Sequence, residues 1–191
     1  MRFLALFLLM AFPALADPAA LKDGEVLRGR FVQERHLNGF SQPARSEGTF
    51  VVVAGAGLIW RAEMPFAMST VITPAGLVQS VGRTETLRLQ STRMPFLSRL
   101  YAMMSGAVAG DWSALEEDFT VSRAGAKVTL KPRRPDPSQP IQAIVAKVNR
   151  LVEEVDILRP EGDFDHLVFS EQKIGGTATP EEAAVLGKAG K

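Results

Sequence analysis

The side chains of this chain that could do chemistry are few. There are two histidines and no cysteine in 191 residues. Disulfides, thiol catalysis and thiolate metal sites are therefore excluded. The stretch "GDFDH" brings Asp163, Asp165 and His166 together. On an extended chain the two carboxylates share a face and His166 takes the other, which is poor geometry for one ion. A polar turn leading into a strand accounts for these residues. Glu153 and Glu154 are adjacent, so on a strand they point apart and cannot divide acid and base roles. No G-x-S-x-G elbow occurs, and "GAGL" (55–58) falls in a hairpin instead of preceding a helix. No catalytic residue, metal ligand or cofactor is expected, and the chain is not expected to be an enzyme.

Soft apolar surface is what the chain does supply. Met64, Met68, Met94, Met103 and Met104 follow its first sixteen residues. Methionine adapts its shape and is over-used on apolar binding surfaces, although it also fills gaps in ordinary cores. The stretch "GLIWRAEMP" (57–65) alternates. Leu58, Trp60, Ala62 and Met64 share one parity, and Arg61 and Glu63 share the other with Ile59. This marks a half-buried strand. Leu58, Trp60 and Met64 are expected on the inward side with Phe50 and Val52. Parity alone leaves open whether Trp60 fills a core or lines a cavity.

The elements that would position these residues are mostly strands. Apolar alternation and turn signals predict them at 26–37, 47–53, 57–64, 68–73, 76–82 and 84–90. A second group falls at 119–123, 126–132, 141–149, 151–158 and 164–171. Short turns and no long intervening helices favour one antiparallel meander, with consecutive strands side by side. A sheet of so many strands must curl. Residues 94–110 have helical spacing, with Phe96, Leu100, Met103 or Met104, and Ala107 on one wide stripe. "DWSALEEDF" (111–119) offers a second short helix, with Ser113 and Glu116 in capping-box spacing. Thr179, Pro180 and Glu182 fit the N-cap, first turn and N3 of a third. The proline-rich stretch 131–140 reads as an exposed loop carrying Arg133 and Arg134, and 187–191 as a frayed tail.

The N-terminus reads as a targeting segment. Arg2, the apolar run Phe3 to Phe12 and Ala14-Leu15-Ala16 make a secretory signal peptide over 1–16. Residues 17–191 then form one domain. Without Arg2 the basic and acidic side chains balance, which argues against nucleic acid as a partner. A periplasmic location is expected.

The ordered series Phe31-x-Gln33, Ser46-x-Gly48-x-Phe50, Gly57-Leu58-x-Trp60, Pro65 and Gly76-Leu77 resembles the outer-membrane lipoprotein carrier (LolA) family. "GDWSALEEDFTV", "VTLKP" and "EGD…H-L-V-F" continue it, so that it covers about residues 26–172. The resemblance implies a mainly β fold: a strongly curved antiparallel sheet forming an incomplete β-barrel, with helices covering its concave face. It implies a carrier that shields acyl chains of lipoproteins or another lipid-like cargo between membranes. A monomer making transient contact with inner- and outer-membrane proteins is expected. Trp60 would then bound a lipid-accepting cavity. The cavity wall would comprise Phe31, Phe50, Val52, Leu58, Trp60, Met64, Leu87 and Leu89, and the lid Phe96, Leu100, Met103 and Met104. The family's lid-locking arginine would fall near Ala54, where this sequence has no basic residue. An acyl-chain sensor or accessory domain of an export system is the alternative, and an enzyme using the same cavity comes third.

Overall fold

The computed structural model describes residues 21–93, 115–134 and 141–189. Eleven strands follow in chain order: β1 (Val26–His36), β2 (Ala44–Val53), β3 (Gly57–Met64), β4 (Met68–Thr73), β5 (Gly76–Val81), β6 (Thr84–Gln90), β7 (Phe119–Ala124), β8 (Lys127–Pro132), β9 (Ala143–Val148), β10 (Val152–Leu158) and β11 (Phe164–Ile174). One helix, α1 (Pro180–Ala189), closes the chain. All eleven strands belong to one antiparallel sheet in the order β6-β5-β4-β3-β2-β1-β11-β10-β9-β8-β7.

The meander expected from the sequence is present on both sides of one break. β6 and β7 do not pair and form the two edges. Instead the first and last strands pair at the centre, with Phe31 opposite Phe169 and Val32 opposite Val168. The sheet is thus an unclosed barrel. One face carries the larger core, running from Leu58 and Ile72 on one wing, through Phe31, Phe50 and Phe169, to Val128, Leu130 and Ile144 on the other. A twisted sheet of this size curls, and we call this continuous face concave.

The opposite face has its own core. Val26, Val51, Val53, Ile59 and Val71 alternate with the concave-face residues and are covered by Leu186 and Ala189 of α1. The helix starts as its residue types require. Glu182 N–H donates to Thr179 Oγ1 (3.2 Å) and Thr179 N–H donates to Glu182 Oε2 (2.8 Å), a reciprocal capping box. The same Glu182 carboxylate accepts Arg28 Nε at 3.0 Å and Nη2 at 2.6 Å. One carboxylate therefore both starts the helix and ties it to β1. The tail expected to fray continues as helix to residue 189, because Leu186 and Ala189 are buried on the sheet. The described part of "DWSALEEDF" is a tight turn, in which Asp118 N–H donates to Leu115 O (3.1 Å). Phe119 already belongs to β7, which leaves no room for an α-helical turn beyond Leu115.

A second ionic cluster sits where β1, β10 and β11 end. Asp165 is buried and accepts Arg35 Nε (2.7 Å), Gln33 Nε2 (3.1 Å), and Arg159 Nε (2.8 Å) and Nη2 (2.6 Å). Burial alone would push its pKa up. The hydrogen bonds and charges of Arg35 and Arg159 outweigh that and hold it below the ordinary carboxylate value. Glu182 is also held low, chiefly by Arg28. Carboxylates with lowered folded pKa values add stability above their unfolded pKa and lose it as pH falls through the folded value. The melting temperature should therefore hold from neutral pH to about pH 5 and drop below it, and Asp165→Asn should shrink that drop. At neutral pH Asp165→Asn should cost about 2 kcal/mol or more, because two arginines lose their counter-charge. Glu182→Ala removes a cap and an ion pair, and should cost about 2 kcal/mol in denaturant unfolding.

Candidate functional site: the concave face

The inward side of β1 to β3 follows from strand parity and register. Phe50 pairs with Trp60, and Val52 with Leu58. The row continues to Thr70 and Ile72 on β4. Phe31, Phe50, Val52 and Leu58 are essentially fully buried, and Trp60 packs against them while remaining partly exposed. Arg61 points the other way, its Nη2 3.7 Å from Glu181 of α1. Glu63 pairs with Arg30 on that same outer side (3.1 Å).

Four aromatic rings form the centre of the face. Trp60 stacks on Phe31 with centroids 3.7 Å apart, and lies 6.2 Å from both Phe50 and Phe169. Phe169 meets Phe50 edge-on at 5.4 Å. The edge-to-face contacts of Phe169 with Phe50 and Trp60 are a favoured aromatic geometry. The cluster needs Gly29 on β1, because a Cβ there would lie 2.7 Å from the Phe50 ring. Phe169 is the member that the sequence analysis missed. Its alternation with Val168 and Ser170 was the available signal, but which strand lay beside β1 was not legible.

The other expected wall residues are placed differently. Leu89 is half-buried opposite Leu77, which packs against the concave core. Leu87 lies opposite Gln79 on the edge strand and is exposed. Met64 was expected on the concave side with Trp60. A register shift between Glu47 and Gly48 sets it opposite Glu47 instead, at the end of β3 and 57% exposed. Gly48 makes that bulge possible, since a Cβ there would lie 1.9 Å from the Arg61 carbonyl oxygen. Phe96, Leu100, Met103 and Met104 lie outside the described residues, as does Ser113. So the expectation of a helix over the concave face has no described residue to meet it. Ala54 sits in the β2–β3 turn and accepts Gly24 N–H through its backbone (3.2 Å).

The polar candidates are engaged elsewhere. Asp163 Oδ1 accepts Asn38 N–H (2.7 Å), and His166 Nδ1 lies 2.6 Å from Asp156 Oδ1. No group of three or more metal-ligating side chains occurs among the described residues. A crevice of about 380 Å³ lies on the outer face between Val53, Thr73, Ala183 and Leu186. Among the described residues no helix is long and apolar enough to cross a membrane. What the concave face offers is a continuous apolar core with a partly exposed indole at its centre.

No protein-family model matches the chain, and no curated protein does. Solved structures do. The MucA/MucB complex of Pseudomonas aeruginosa is similar at 15% identity with a TM-score of 0.46, over 82% of this chain and 54% of that one. This chain thus spans about half of that protein. A LolA superfamily protein from Nitrosomonas europaea is similar at 10% identity with a TM-score of 0.44, over 85% of this chain and 91% of that one.

Proposed function

We propose that the chain is a periplasmic, non-enzymatic carrier. It shields an acyl chain of a lipoprotein, or another lipid-like cargo, against the concave face and passes it between membranes. The observation that carries this reading is Trp60. It is stacked on a buried aromatic cluster yet stays partly exposed, on the face that carries the larger core. Burial of apolar area contributes about 0.8 kcal/mol per methylene. An acyl segment of about ten methylenes lying along Leu58, Trp60, Phe31 and Phe50 would gain on the order of 8 kcal/mol gross. Whatever side chains the cargo displaces subtract from that gain. A carrier needs the subtraction, because cargo held too tightly is not handed on.

The test uses the indole itself. The chain has two tryptophans, so Trp112→Phe leaves Trp60 as the sole reporter. A fatty acid brominated along its chain should quench Trp60 emission saturably. Leu58→Ala with Phe31→Leu should weaken binding roughly tenfold or more, about 1.4 kcal/mol at least, while circular dichroism keeps the β signature. Emission that ignores the brominated acid, with the fold intact, would refute acyl binding at this face. Transfer of cargo between donor and acceptor vesicles separates a carrier from a sensor: a sensor binds and transfers nothing.

A further inference from the structure

Strand directions sort the turns into two ends. Because every neighbour is antiparallel, the β1–β2, β3–β4, β5–β6, β8–β9 and β10–β11 connections all emerge at one end. Nine large apolar side chains are exposed among the described residues, and seven of them lie at that end. The turns at the opposite end, 54–56, 74–75, 125–126 and 149–151, expose none. Phe66 on the β3–β4 turn is 80% exposed, Phe40 on the β1–β2 turn 73%, and Val81 before the β5–β6 turn 51%. Successive turns along one rim are two strands apart, roughly 10 Å.

We propose that this rim is a docking edge for an anionic lipid bilayer, with Phe40 and Phe66 as its inserting tips. This inference rests on the carrier reading for its purpose and on the rim's own geometry for its substance. Three features favour a bilayer as the occupant. The exposed groups are separate tips, which a fluid interface accepts one by one, whereas a stable protein interface needs a contiguous patch of roughly 800 Å² per partner. Residues 37–43 and 64–68 contain no charged side chain, so nothing charged is dragged into the apolar layer. Arg83 and Arg134 at the same end are exposed and form no ion pair among the described residues, which leaves them free for anionic headgroups. The rim is also continuous with the concave face. Met68 pairs with Ala62, two residues along β3 from Trp60. An acyl chain leaving the bilayer at this rim would meet the proposed site directly.

The test is co-flotation of the exported chain with phosphatidylcholine vesicles, with and without phosphatidylglycerol. The wild-type chain should float with the anionic vesicles. Phe40→Ser with Phe66→Ser should reduce floating protein roughly tenfold. Arg83→Ser with Arg134→Ser should remove the preference for phosphatidylglycerol. Brominated-acid quenching of Trp60, measured on the same proteins, should be unchanged. A wild-type chain that stays soluble with both vesicles overturns the inference, and so does a Phe40/Phe66 variant that floats as well as the wild type. A rim that cross-links to a protein while ignoring vesicles overturns it in favour of a protein partner. A wild-type chain that is quenched but does not float sinks the docking edge alone. A wild-type chain that floats but is not quenched sinks the carrier reading alone.

Discussion

The pairing of β1 with β11 holds the architecture together. It joins the two ends of the chain at the centre of the sheet and leaves β6 and β7 as free edges. Phe31 meets Phe169 across this seam, and the aromatic cluster that holds Trp60 forms around them. The Asp165 cluster spans the seam at one end, since Gln33 and Arg35 belong to β1 and Asp165 to β11. Beyond the other end, α1 returns over β3, β4 and β5 and is tied to Arg28 of β1. A pairing of such long sequence separation closes a large loop before its contacts compensate. The buried aromatics and the two ionic clusters are what offset that closure.

The two faces differ in composition. On the outer face small β-branched residues are sealed by α1, and charged pairs such as Arg30–Glu63 flank them. On the concave face large aromatic and aliphatic side chains are continuous over ten strands. The ionisable group buried nearest to this face, Asp165, is fully engaged by three partners at the rim. In the proposed carrier, a face of this composition would select its cargo by the length and shape of the apolar chain and not by a polar headgroup.

Local features were legible in the sequence. All eleven strands were predicted within a few residues, because alternation and turn glycines are written locally. The α1 start was readable from Thr179, Pro180 and Glu182, whose side chains act within one turn. Distant pairings were not. Nothing near Val26–His36 says that β11 will lie beside it, so the sequence points neither to Phe169 as a partner of Phe31 nor to Asp165 as the partner of Arg35. Met64 was carried off the concave side by one bulge, since a single-residue slip flips parity. Glu182 looked like a cap alone, because Arg28, which it also binds, is 154 residues away.

On the proposed reading, the acyl chain lies on the concave face and not on the outer one. Photocross-linking with a diazirine fatty acid, followed by peptide mapping, tests it most directly, because the outer crevice beside Leu186 is an apolar competitor on the same molecule. Adducts are expected on Trp60, Leu58 and Phe31, competed away by unlabelled fatty acid. Adducts confined to Val53, Ala183 and Leu186, with the Trp60 peptide unlabelled, would contradict that reading.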